Sequence, residues 1–222
     1  MTVRILSACA AISLTVLLPC GSPASAATPS FDCRKASSRN EKLICSSAEL
    51  ASLDRQIAAR YKALSTQLDG ASARLLRQDQ QWFITSRDDT YMKAPTAKDL
   101  ADTLRHRLGF LNAIRLSAPA GIIGRWRNVA GEIEISRRPS GAVSFAANAA
   151  EPSTGRWVCD AQGSVAADAR GRWTARITEP ASSRIALDRA GPVLMVKEGD
   201  GQPGYCGMNG SLSGGYFFVG QK

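Results

Sequence analysis

Six cysteines and one histidine are the residues of this chain whose types invite a chemical reading, and Cys9 and Cys20 lie in the apolar N-terminal stretch. Cys33 and Cys45 close the segment FDCRKASSRNEKLIC, and Cys159 and Cys206 follow much later. A close cysteine pair is a disulfide, half of a metal site or a reactive thiol centre. His106 is distant in sequence from every cysteine, so the Cys/His spacing of a zinc site is missing. No Gly-x-Ser-x-Gly, phosphate loop or histidine-rich motif occurs, and no cofactor signature is present. A hydrolase built on two carboxylates leaves no linear motif, so the sequence does not exclude one. The reading is of a non-catalytic protein without cofactor or metal.

The compartment settles how the thiols are read. The chain opens MTVRILSACAAISLTVLLPC, with Arg4 ahead of an apolar run from Ile5 to Leu18, and SPASAAT follows. That is the pattern of an export signal spanning residues 1–27, with cleavage near Ala26 or Ala27. The apolar run is shorter than the ~20 residues a membrane span requires, and no second long run exists. The mature protein is therefore expected to be periplasmic or secreted, with no transmembrane span. Lipid anchoring through Cys20 is the lesser alternative, because Pro19 stands where such signals have a small residue. Four cysteines remain, an even number in an oxidising compartment, which favours two disulfides. They allow three pairings, and spacing does not choose among them. A Cys159–Cys206 bridge would close a long loop and stabilise by about 4 kcal/mol.

The elements that must position these residues fall into two halves, and the fold class expected is α+β. From Ser37 to about Ser117 the pattern is helical. SRNE (Ser38 to Glu41) and SSAE (Ser46 to Glu49) have capping-box spacing and predict helix starts, and TAKD (Thr96 to Asp99) opens a fourth helix. Leu50, Leu53, Ile57, Tyr61, Leu64 and Leu68 form one apolar stripe, and Leu100, Leu104, Leu108, Leu111 and Ile114 another. A helix between them carries Leu75, Leu76, Trp82 and Phe83. SAPAG (Ser117 to Gly121) ends the helices and reads as a linker. Beyond it, GEIEISRR, AVSFAAN, GRWVCDA, GRWTARITE, SRIALDR, PVLMVKE and GGYFFVG predict short strands separated by turn residues. The division expected is a disulfide-stapled helical domain at 28–117 and an antiparallel β barrel or sandwich domain at 122–222.

The chain of 222 residues carries 28 basic and 19 acidic side chains, for a formal charge of +9. The excess is spread over both halves, which does not read as a nucleic-acid footprint. Attraction to peptidoglycan or another anionic polymer of the envelope is the more economical inference.

The helical half resembles the LprI-type lysozyme inhibitor family. The resemblance is carried by FDCRKASSRNEKLICSSAELASLDRQIAARY, with Cys33, a Glu before Ile44-Cys45, and the EL..LD......Y pattern. A second block, LRQDQQWFITSRDD, places Gln80, Phe83, Arg87 and Asp88 on the family's spacing. Phe83 stands where the family usually has Trp, and Trp82 comes one position early. Two further family cysteines are replaced here, at Tyr91 (or Thr90) and Asp99. Their joint loss implies that Cys33 pairs with Cys45. The resemblance implies an exported helical module that binds lysozyme or another envelope protein, a glycosidase inhibitor plugging a cleft with two acidic groups. The chain's charge offers no long-range steering toward host lysozymes, which are commonly cationic. The β half resembles extensions found beside such domains, and no function transfers with it.

Candidate binding residues follow. Gln80 and Arg87 share a face with Phe83 and Tyr91 on the third helix and could form a polar patch beside aromatics. The plainer reading packs Phe83 in the bundle and pairs Arg87 with an acid such as Asp54, or has it cap a helix, and helical aromatic stripes favour it. Arg125, Trp126 and Arg127 recur as an Arg-Trp motif at Arg156-Trp157 and Arg172-Trp173, and could stack on sugar rings or a partner. Strand alternation instead turns the tryptophans into the core and the arginines to solvent. His106, between Arg105 and Arg107, reads as a surface residue.

Overall fold

The computed structural model describes residues 28–89, 95–118, 120–179, 182–199 and 203–221. The expected export signal at 1–27, with Arg4 and Cys20, lies outside the described residues, as do Thr90 and Tyr91.

Four helices come first: α1 (Arg39–Ser46), α2 (Ala48–Gln67), α3 (Gly70–Asp88) and α4 (Ala97–Ala113). Each starts where a side chain satisfies its free N–H groups. Ser38 and Glu41 form a reciprocal capping box on α1, and Thr96 and Asp99 form one on α4. The box expected at Ser46–Glu49 is displaced by one residue. Ser47 caps α2 by accepting from the Leu50 amide, and Glu49 pairs with Arg105 instead. Asp69 separates α2 from α3 and caps α3 through the amides of Ala71 and Ser72. A disulfide joins Cys33 to Cys45 across a separation of 12, tying the segment before α1 to its last turn.

Eight antiparallel strands follow as a meander: β1 (Gly124–Arg127), β2 (Gly131–Arg137), β3 (Val143–Ala150), β4 (Val158–Ala167), β5 (Trp173–Glu179), β6 (Ser183–Ala190), β7 (Val193–Glu198) and β8 (Gly214–Gly220). Each pairs with the next, and β1 pairs with β8, so the sheet is a closed barrel. Closure leaves no exposed sheet edge. The interior is packed by alternate residues: Ile133 and Ile135 from β2, Phe145 from β3, Ile177 from β5, Leu187 from β6, Tyr216 and Phe218 from β8, and Trp126 from β1. Eight strands enclose just enough room for such side chains, so this is a core and not a ligand cavity. The Trp126 and Phe218 rings meet at 5.1 Å where the barrel closes. A second disulfide, Cys159–Cys206, clips the β7–β8 loop to β4.

One stretch of barrel wall looks outward at the helices. On β8 four consecutive residues are buried, because Tyr216 and Phe218 point in while Phe217 and Val219 point out. Phe217 and Val219, with Val193 of β7, share a core with Leu64, Leu76, Leu104, Phe110 and Leu111 of the helices. The Pro/Gly linker is tied down as well. Arg115 N–H donates to the Phe218 carbonyl, and Arg189 donates to the carbonyls of Ala118 and Gly121.

Candidate functional site

A cleft of about 590 Å³ lies between α3, α4 and one end of the barrel. Such a volume falls in the range of ligand pockets. Its floor includes Arg107, which sequence reasoning passed over, beside Phe83, which it singled out. Arg107 of α4 is 3 % exposed, and its guanidinium lies 5.0 Å from the Phe83 ring centre and 5.1 Å from that of Phe110. One nitrogen donates to Asp79 Oδ1 at 2.5 Å, and two reach Gln80 Oε1 at 3.0 and 2.7 Å. Burial pushes the Arg107 pKa down, and Asp79 opposes that shift. The second Asp79 oxygen accepts the Val129 amide of the β1–β2 turn at 2.7 Å. A legible signal existed. Arg107 falls on the stripe of Leu100, Leu104 and Leu111, and Asp79 on that of Leu76 and Phe83, so each charge interrupts an apolar face.

The barrel side of the cleft is the β1–β2 turn and the β3–β4 loop. Glu151 accepts from the hydroxyls and amides of Ser153 and Thr154. Burial alone would raise its carboxyl, but these hydrogen bonds outweigh it and hold the pKa at about 2. Ser153 Oγ also lies 3.2 Å from Asp89 Oδ2 at the end of α3. A general acid requires a raised pKa. Glu151 is instead a turn cap, its oxygens occupied by local donors. Asp102, also on the cleft wall, is held by Lys98 and Arg105. Among the described residues no group of His, Cys, Asp and Glu is arranged to hold a metal.

The residues singled out from sequence separate here. Gln80 is the acceptor that orients Arg107. Arg87 is nearly buried at the cleft edge and pairs with Asp88 at 2.8 Å, not with Asp54, while its carbonyl accepts the Asn40 amide. Asp54 accepts the Ser30 amide instead. Trp126 is 0 % exposed inside the barrel, its indole N–H donating to the Ile122 carbonyl, so its ring is not offered to a ligand. Arg125 and Arg127 stand on the outer wall beside Glu132, and Arg127 also reaches over Phe110 at 5.8 Å into the cleft. Trp157 and Trp173 are half-buried against the barrel core. His106 is exposed on the cleft rim.

The helices and their short connections are also where a likeness to known proteins lies. Residues 33–119 match the family model described as "Lysozyme inhibitor LprI". No curated protein and no solved structure matches the chain. The LprI match spans all four helices and ends before β1, so it includes the α-side of the cleft and none of the barrel. Cys33–Cys45 opens the matched segment, and Gln80, Arg87 and Arg107 lie within it. Among the described residues no helix is long and apolar enough to cross a membrane.

Proposed function

We propose that this is an exported, non-catalytic envelope protein, periplasmic or secreted, that inhibits lysozyme by binding it. The observation that carries the reading is the LprI match over residues 33–119. Two disulfides support an oxidising location. The cleft carboxylates support a binding role, since Glu151 is held ionised by a turn and Asp102 by basic neighbours.

The test is lysozyme lysis of a bacterial cell-wall suspension with the intact chain added. Helices and barrel share buried side chains, so the intact chain is used and not its halves. Inhibition at micromolar concentration is expected, and an unchanged lytic rate would sink the reading. The alternative is a binding module that takes an envelope polymer such as peptidoglycan, or a small ligand, through the β domain and its Arg-Trp strands. It has less support, because the Trp126 ring is enclosed.

A further inference from the structure

On the outward side of α3, Gln78, Gln81, Trp82 and Thr85 recur at steps of three, four and seven residues, which puts them on one helical stripe. All four are exposed. Ile84 lies beside them, and Trp82 and Ile84 are 39 % and 42 % exposed, unusual for large apolar side chains. The opposite side of the same turns, Leu76, Asp79 and Phe83, is buried. Phe83 already fills the core position, so the fold has no packing use for a tryptophan at 82. Among the described residues, no protein group bonds the Trp82 indole N–H or the side-chain amides of Gln78 and Gln81. By contrast, the exposed charges of α4 are engaged in the Lys98, Asp102, Arg105 and Glu49 cluster.

Beyond the exposed Arg74 and Arg77 of the preceding turn, the patch itself is neutral. From Gln78 to Ser86 the sole ionisable side chain is Asp79, and it is turned inward on Arg107. In a chain of +9, such an uncharged patch repels a cationic protein less than a basic surface would. Tryptophan is among the residues that most often dominate binding energy. Here it projects from a helix pinned on its other side, so little ordering is required on binding.

We propose that this Trp82–Ile84 face of α3 is the surface that docks on lysozyme. The proposal rests on the inhibitor reading and lies inside the LprI-matched segment.

Lysis assays and calorimetric titration against lysozyme test it, using the intact chain, Trp82→Ala and the double variant Trp82→Ala/Ile84→Ser. Both variants are expected to fold like the parent by circular dichroism and thermal melting. The half-inhibitory concentration is expected to rise roughly tenfold or more for Trp82→Ala, the size of a hot-spot loss. Met208→Ser, a substitution at the more exposed Met208 of the β7–β8 loop, is expected to leave it unchanged. Parent-like inhibition by the double variant would overturn the docking face while leaving the inhibitor reading intact. A parent chain that neither binds nor inhibits lysozyme would overturn both. Trp82-dependent binding to phosphatidylglycerol vesicles, with lysozyme binding unaffected, would assign the face to a lipid surface and overturn it too.

Discussion

Asp79 and Arg107, 28 residues apart, form a buried ion pair in which the carboxylate also holds the barrel: Oδ1 takes Arg107 and Oδ2 takes the Val129 amide. Three elements, α3, α4 and the β1–β2 turn, therefore meet at one side chain. Removing one partner of such a pair leaves an uncompensated buried charge. Asp79→Ala is expected to cost about 3–5 kcal/mol, read by urea unfolding. The apolar replacement Asp79→Leu/Arg107→Met is expected to recover most of that loss. A single substitution costing less than 1 kcal/mol would show that the pair does not organise the junction.

Phe217 predicts how the two parts unfold. It is fully buried between β8 and α4, with its ring 6.5 Å from Phe110. Because Phe217, Val219 and Val193 complete the helical core, helices and barrel are expected to melt together. Far-ultraviolet circular dichroism and tryptophan fluorescence, to which Trp126, Trp157 and Trp173 of the barrel contribute, should report one midpoint. Phe217→Ala is expected to destabilise by about 3–5 kcal/mol, and two separated transitions in the parent would contradict the shared core.

Glu151 predicts an acid limb of stability. Its folded pKa is about 2, against an ordinary value of 4.5. With the folded value depressed, the unfolded chain takes up the proton first as pH falls. The stabilisation is therefore present above about 4.5 and is lost as pH drops toward 2. Urea midpoints from pH 6 to 2 should show a gap between the parent and Glu151→Gln that closes over this window. Glu198 acts in the same direction. Burial would raise its carboxyl, but Ser211, Tyr205, Leu212 and Ser213 donate to it and lower it.

The disulfides differ in the loops they close. Cys33–Cys45 spans 12 residues and Cys159–Cys206 spans 47. On chain entropy, replacing both cysteines of a pair by alanine is expected to cost about 3 kcal/mol for the first and about 4 kcal/mol for the second. Equilibrium unfolding of the two double variants checks the order, and a larger loss for the Cys33–Cys45 pair would contradict it.

Gly163 tests the barrel register. A Cβ there would lie 2.0 Å from the Arg176 carbonyl oxygen of the neighbouring strand. Gly163→Ala is expected to destabilise by roughly 1–3 kcal/mol, the cost of overpacking, and to leave the helical content intact. An unchanged melting temperature would mean that β4 and β5 can move apart at no cost.

Much of this architecture is legible one segment at a time. Ser38–Glu41 and Thr96–Asp99 announce helix starts because a cap satisfies backbone groups three residues away. Leu50 through Leu64 announces a buried helical face for the same local reason. The alternation in GEIEISRR and PVLMVKE announces strands. The displaced cap at Ser47 was misjudged because several adjacent side chains could serve and packing selects among them. Arg87, expected to reach Asp54 or cap a helix, pairs with its neighbour Asp88 because α3 turns it toward the cleft edge.

The sequence by itself determined the helices, the strands, the turn between them and the LprI-like opening, since each depends on contacts within a few residues or on a local pattern. Only the tertiary structure decided that the sheet closes on itself, that Arg107 is buried on Asp79, and that Trp82 is left facing out. Those outcomes depend on pairs such as Arg125 with Gly220, and Asp79 with Val129, that are distant along the chain. Nothing in the local spacing of a residue reveals which distant surface will cover it.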